Sequence, residues 1–152
     1  MRNRFDQQLH HLDEQLTHMG ELCEIAISKV TQALKEGSAG QARIVVAEDE
    51  EIDQMEKEIE RLCLKLLLQQ QPVAKDLRQV SAALRMISDM ERIGDQASDI
   101  VENARYIQDN TYESNLHIRD MAEATMKMVT DSIDSFVKRD LELARKTMKE
   151  DD

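Results

Sequence analysis

The chain has 152 residues, a net charge of −11, only 3% aromatic residues, four glycines and one proline. Such an acidic balance argues against nucleic acid and anionic lipid as partners, because binding to either requires a basic face. Most of the other residues lose little side-chain freedom in a helix, so the composition favours an all-α protein over any fold that contains a sheet.

The cysteines and the N-terminal segment predict a cytoplasmic protein. Cys23 and Cys63 occupy apolar helical positions and form no CxxC motif, so we interpret each as a small core residue. The N-terminal segment has no apolar region typical of a signal peptide. Because no apolar run approaches the roughly 20 residues that span a bilayer, we expect no direct membrane insertion.

Two apolar series in the first half of the chain predict two long helices. The first runs from Phe5 to Ala33 in steps of three and four residues, which is the spacing of one helix face. The GSAG sequence at 37–40 ends it, because glycine terminates helices. The second series runs from Val45 to Leu66. It ends before Pro72, which suits the first turn of a new helix but not a helix interior.

A third apolar series, from Val73 to Ile107, predicts another long helix with a change of phase near residue 87. Gly94 lies inside this helix, where glycine costs about 1 kcal/mol relative to alanine. We therefore expect a feature that needs the absence of a side chain at this position. Close approach of another helix or of a ligand would provide one.

The last part of the chain predicts one more long helix and a short one. After Asp109-Asn110-Thr111 a helix is expected to begin near Ser114 and to reach Val137. Lys138-Arg139-Asp140 reads as a break, and a short helix from Leu141 to Lys149 follows. Three long helices joined by short turns are typical of an up-down-up bundle, so this bundle is the predicted architecture of the first three.

The sequence partly matches itself when it is shifted by 102 residues. Met19 then aligns with Met121, Ile27 with Val129, and Glu48-Asp49-Glu50 with Glu150-Asp151-Asp152. This repeat predicts two domains, a three-helix bundle at 1–110 and an incomplete second unit at 114–152. The incomplete unit would pack on the first bundle, dimerise, swap with a neighbouring chain or fray.

Two acidic patterns mark a candidate site. Asp49 and Asp53 form D-x-x-x-D in the second helix, and Glu91, Asp95 and Asp99 form E-x-x-x-D-x-x-x-D in the third. Residues four apart lie on one helix face, about 5–6 Å apart at Cβ, where like charges repel. Acids stacked in this way are costly unless something neutralises them.

A reversal at Pro72 would bring the two acidic patterns to the same height. Asp53 and Glu91 each lie 19 residues from Pro72, and Asp49 and Asp95 each lie 23 residues from it. In an antiparallel helix pair these residues share two levels and can face one another along the groove. Clustered carboxylates without thiolates suit hard cations such as Mg²⁺, Ca²⁺, Mn²⁺ or iron.

Other interpretations of the acidic residues stay open. The region from Glu48 to Glu60 is also compatible with a solvated acidic face. Its ion-pair partners would then be Arg43, Lys57, Arg85 and Arg92. Zn²⁺ is less favoured, because the histidines lie elsewhere in the sequence and are interpreted as surface residues; they are His10, His11, His18 and His117.

The segment Asp89-Met90-Glu91-Arg92-Ile93-Gly94-Asp95-Gln96-Ala97, followed by Asp99-Ile100, resembles the ERIGD-x-A-x-x-I motif of the PhoU family. Glu50-Glu51-Ile52-Asp53-x-x-Glu56 is similar to the second-helix pattern of that family, and the segment from Gln71 to Arg78 resembles its inter-helix turn. The likeness covers nearly the whole chain. The chain differs from the family pattern because it lacks the second ERIGD-type motif.

The resemblance implies a fold of tandem three-helix bundles with multinuclear iron or zinc sites. By matching position, Asp49, Asp53, Glu91 and Asp95 would be metal ligands and Asp99 an accessory ligand. The cofactor would be a divalent or trivalent metal, namely Fe, Mn, Zn or Mg. The missing second motif implies that a second metal site would be incomplete.

The resemblance also implies a function. Members of the family act as cytoplasmic negative regulators of the phosphate regulon, and link the ATPase of the phosphate ABC transporter to a sensor histidine kinase. A homodimer is implied too, with a domain swap through 114–152 as one form of it. We therefore expect a metal-binding, non-enzymatic adaptor. The alternatives are a metal-dependent helical carboxylate enzyme and a metal-free helical oligomerisation module.

Overall fold

The computed structural model describes the backbone of residues 2–36, 39–70, 72–107 and 117–152, and the side chains of 3–34, 49–68, 72–103 and 117–152. Those residues form five helices and no strand, which confirms the all-α prediction. The helices are α1 (Arg2–Glu36), α2 (Ala39–Gln70), α3 (Ala74–Ile107), α4 (Ile118–Val137) and α5 (Leu141–Glu150). The predicted start of α4 near Ser114 lies outside the described residues.

Helix α1 supplies the centre of the core. The whole predicted series from Phe5 to Ala33 is buried, and Leu12, Leu16 and Met19 are fully enclosed. Helices α2 and α3 pack on α1 and on each other, so the first three helices form the predicted bundle. Burying side chains of this size stabilises the fold by about 1.5–3 kcal/mol each.

The buried stripe of α3 differs from the prediction. It runs through Val80, Ala83, Ile87, Met90 and the helix turns that follow, in steps of three and four without a change of phase. The expected core residues Val73, Leu77 and Ile100 are exposed instead. The predicted change of phase was wrong because the side chains of two neighbouring faces of α3 were read as one series.

Helix α4 packs against α1, and α5 packs against α4. The second segment thus lies on the first bundle within the same chain, one of the four arrangements that the sequence allows. Gly20 of α1 makes this approach possible, because a Cβ there would lie 2.1 Å from Ile133 Cδ1. The Thr130 hydroxyl of α4 also donates a hydrogen bond to Glu24 of α1.

The predicted break at 138–140 is a tight helix end. The Asp140 amide donates to the Ser135 carbonyl at 2.9 Å and the Arg139 amide donates to the Phe136 carbonyl at 3.3 Å, which is the Schellman pattern. Arg139 adopts a φ of 55°, a left-handed conformation that costs an L-residue about 1–2 kcal/mol. The Asp140 carboxylate then accepts from the Leu143 amide at 3.0 Å and caps α5.

Candidate metal centre

Helices α2 and α3 bring three of the predicted carboxylates together. One oxygen from each of Asp49, Asp53 and Asp95 can be chosen so that all three lie within 4.8 Å of one another. Asp49 and Asp53 are one turn apart on α2, and Asp95 faces them from α3. The reversal at Pro72 therefore produces the juxtaposition that the equal sequence distances indicate. Their role as metal ligands remains a prediction.

The other two predicted ligands lie at the edges of this cluster. Glu91 shares a hydrogen bond with Asp95 on the same helix and interacts electrostatically with Asp53. Asp99 is exposed and acts on Asp49 through its charge. The structure adds Glu56, which the choice of site residues omitted although it stands three residues after Asp53. The spacing of the two was the available signal, since residues three apart share a helix face.

The carboxylates repel one another in the metal-free chain. Burial raises the pKa of Asp49 to about 6, with further contributions from the charges of Asp53 and Asp95. The hydrogen bond with Asp95, together with burial, raises the pKa of Glu91 to about 7. Burial and the charge of Asp53 also raise the pKa of Glu56. The charges of neighbouring carboxylates contribute to all three shifts, and a cation at this place would relieve that part of them.

Two oxygens of the cluster lack any partner among the described residues. Asp49 Oδ1 and Asp53 Oδ1 are buried and accept no hydrogen bond. Leaving a buried acceptor unsatisfied costs about 1–3 kcal/mol, and more when the group is charged. A cation between α2 and α3 would be bound by both oxygens. The residues present therefore fit a metal, and this conclusion does not depend on the number of negative charges in the cluster.

Gly94 provides the space for Asp49. A Cβ at Gly94 would lie 2.8 Å from Asp49 Oδ1 and 3.1 Å from Ile52 Cδ1. The expected close approach of a second helix is therefore present, and it occurs at the carboxylate cluster. Glycine at this position lets α2 bring a carboxylate oxygen directly onto the backbone of α3.

The alternative of an acidic face neutralised by basic residues has partial support in the described part of the chain, because Lys57 acts on Glu56 through its charge. No ion pair there joins a candidate ligand to a lysine or arginine, and Arg92 contacts Asp89 at 3.9 Å instead. Arg43 lies outside the described side chains. His10, His11 and His18 pair with glutamates of α1, and His117 is exposed. An oxygen-only site suits Mg²⁺, Mn²⁺ or iron better than Zn²⁺.

Substituting Gly94 tests whether metal binding requires the space that this glycine leaves beside the Asp49 carboxylate. In Gly94→Ala the methyl group would displace the Asp49 carboxylate, so we expect affinity for Mn²⁺ to fall by about tenfold or more. The melting temperature of the metal-free chain should change little, because alanine favours the helix by about 1 kcal/mol and offsets the crowding. Isothermal titration calorimetry measures the affinity. The control is Ser88→Ala on an exposed part of α3; an unchanged affinity in Gly94→Ala would contradict the assignment.

The sequence matches the profile of the PhoU domain twice, over residues 16–104 and 118–152. The chain belongs to the PhoU family. The division into a bundle at 1–110 and an incomplete unit at 114–152 stays a prediction.

Similar proteins and solved structures support this assignment. The chain is 36% identical over 146 residues to a phosphate-specific transport system accessory protein PhoU homologue of Aquifex aeolicus, covering 95% of this chain and 66% of the relative. The homologue of Clostridium acetobutylicum is 33% identical, with 99% and 70% covered. The crystal structure of PhoU from Pseudomonas aeruginosa superposes with a TM-score of 0.85 at 30% identity, covering 93% of this chain and 69% of that chain.

Three facts frame any functional conclusion. The chain spans roughly two thirds of the length of these relatives, 66% and 70% for the two just named. The relatives are named accessory or regulatory proteins of transport, which confirms that the family is not one of enzymes. Within the described residues, no helix combines the length and the apolar character required to cross a bilayer.

Proposed function

We propose that this chain is a metal-binding accessory protein of phosphate uptake. It would act as a cytoplasmic negative regulator of the phosphate regulon by docking to the ATPase of the phosphate ABC transporter and to a sensor histidine kinase. Membership of the PhoU family supports the accessory role, because the relatives are named for the phosphate-specific transport system. The metal role rests on one observation, the pair of buried, unpartnered oxygens of Asp49 and Asp53 beside Asp95.

The metal would serve structure and regulation rather than turnover. Bound between α2 and α3, a cation would join two helices that otherwise repel each other at this level. Asp49, Asp53 and Asp95 would supply the nearest oxygens, with Glu91 and Asp99 completing the shell. The enzyme alternative has less support, because the cluster among the described residues consists of Asp49, Asp53 and Asp95, with no histidine or cysteine.

A homodimer is part of the proposal. In this chain α4 packs on α1. In a dimer formed by a domain swap through 114–152, α4 of each chain would pack on α1 of the other chain instead. The metal-free oligomerisation module is the remaining alternative. The orphaned carboxylate oxygens favour the metal-binding form, because a purely structural bundle would gain stability by replacing them with apolar side chains.

A direct test is co-purification with defined partners. The tagged full chain is mixed with the purified ATPase of the phosphate transporter, or with the soluble part of the histidine kinase, in buffer containing Mn²⁺. We expect each to be retained by the tagged chain, and less of it after chelation. A folded, metal-loaded chain that retains neither partner would refute the docking role. Retention that is equal with and without metal would support docking and refute regulation by the cation.

A further inference from the structure

A long cleft separates α3 from α4 on the side of the molecule away from α2. Helix α1 contacts both α3 and α4, whereas no close backbone approach joins α3 to α4 in the residues described. Three cavities of about 570, 340 and 230 Å³ lie along this cleft. Neighbouring cavities share lining residues: Met86 and Ser132 border the first two, and Ile93 and Thr125 border the second and third. The three cavities therefore lie next to one another, and together they are called the groove below.

The dimensions and lining of this groove fit a helix. It extends along α3 from Lys75 to Ile100, which at 1.5 Å per residue is about 38 Å. Methionines from both walls line it: Met86, Met90, Met121 and Met128. Flexible thioether side chains suit surfaces that accommodate apolar partner helices. Ile100 and Met121, left exposed by the bundle itself, lie at one end of the groove.

The other end of the groove is positively charged. Lys75, Arg78 and Arg139 line its largest cavity, although the chain as a whole carries a net charge of −11. Within the described residues, none of the three cations forms an ion pair shorter than 4 Å with an acid. Arg139 donates instead to Gln79 Oε1 at 2.9 Å, and Gln79 in turn donates to Asp13 at 3.4 Å. The lining acid Asp140 is engaged as the cap of α5.

Acidic groups of the chain set the orientation of any occupant. Asp89 borders the middle cavity, and Asp13 accepts from Gln79 and interacts with Arg139 through its charge. An anionic segment is therefore attracted to the Lys75 end and repelled from the middle of the groove. The apolar length and the single cationic end together define one kind of ligand.

We propose that this groove binds an amphipathic helix of a partner protein, with an apolar stripe along its length and a cluster of Asp or Glu at one end. The inference rests on the proposed docking function, because it assigns the surface that a partner would occupy. The apolar stripe would lie against the methionines, and the acidic end would pair with Lys75, Arg78 and Arg139.

The test uses a panel of synthetic fluorescent helices and the full-length chain. The panel contains about 25-residue amphipathic peptides, matched in composition, with the acidic cluster at the N-terminal end, at the C-terminal end or at the centre. Fluorescence anisotropy should show binding of a peptide with the acids at one end and at least tenfold weaker binding of the central form. Binding should weaken as salt is raised, since the terminal contact is ionic.

Two variants and one control identify the site. Lys75→Glu with Arg78→Glu should weaken binding at least tenfold. Arg139→Gly removes a charge from a left-handed position that glycine accepts without strain, so it should weaken binding while leaving the melting temperature equal or higher. The control is Lys65→Glu on an exposed part of α2, which should bind like the parent chain.

Several results would overturn the proposal. These are failure of every peptide to bind, equal binding by the parent and the Lys75→Glu, Arg78→Glu variant, and preferential binding of that charged end to phosphatidylglycerol vesicles. A dimer that Met128→Asp dissociates would assign the groove to a second copy of this chain instead. Retention of the transporter ATPase by the Lys75→Glu, Arg78→Glu variant would leave the docking function intact and refute only this surface.

Discussion

Adding Mn²⁺ to the metal-free chain is expected to raise its melting temperature by about 5–10 °C. A ligand that binds only the folded state at 100 times its Kd adds about 2.7 kcal/mol of stability, and each kcal/mol shifts the melting temperature of a domain of this size by about 2–4 °C. The gain arises because the cation replaces repulsion among Asp49, Asp53 and Asp95 with coordination. Differential scanning calorimetry with Mn²⁺, Fe²⁺, Zn²⁺ and Mg²⁺ measures the shift and ranks the metals.

Asp53→Asn with Asp95→Asn should abolish this response. The amides keep the shape of the carboxylates but remove two charges, so the metal-free variant should be as stable as the parent chain or more stable. The control is Asp6→Asn with Asp120→Asn, which removes two charges from exposed positions on α1 and α4 and should leave the shift intact. Absence of a shift with all four metals in the parent chain would rule out the metal centre.

Gly20→Ile is expected to lower the free energy of unfolding by about 3 kcal/mol and to loosen α4 from α1. A Cβ alone would lie 2.1 Å from Ile133 Cδ1, and overpacking of this kind costs about 1–3 kcal/mol, occasionally more. Urea denaturation measures the loss, and limited proteolysis between α3 and α4 should become faster. Unchanged stability would show that α4 does not pack on α1 at this position.

A double-mutant cycle makes the same contact quantitative. Ile133→Ala leaves a cavity and should cost about 2–5 kcal/mol. Adding Gly20→Ala to that variant should recover part of the loss, because the methyl group fills the vacated space and alanine favours the helix. Gly20→Ala in the parent chain should give no such gain. Additive effects of the two changes would indicate that the residues are not in contact.

The sequence was sufficient to predict the first bundle and most of its core. The steps of three and four from Phe5 to Ala33 identify one face of α1, and every member of that series is buried. Such periodicity is informative because a long helix has one side that must leave water. The buried face of α3 was predicted wrongly, because spacing alone did not distinguish its faces. Apolar residues on two of its faces satisfy similar spacings, and only packing shows that Leu77 and Ile100 are not in the core.

The candidate site was partly accessible from sequence. Equal distances from Pro72 predict which acids of α2 and α3 share a level, and the structure places Asp49, Asp53 and Asp95 accordingly. Counting residues does not give the rotation of each helix about its axis. Asp99 is exposed and acts on Asp49 through its charge, so its ligand role stays a prediction. Glu56 was omitted although its spacing from Asp53 was available in the sequence.

The amino-acid sequence by itself determined the helical class, the family, the turn at Pro72, the break at 138–140 and the level at which acids of α2 and α3 meet. These features depend on composition and on spacing along single helices. The tertiary structure decided how α4 seats on Gly20, why Gly94 must lack a side chain, and that an apolar groove with a cationic end lies between α3 and α4. These features depend on distances between helices far apart in the chain, and periodicity within one helix carries no information about such distances.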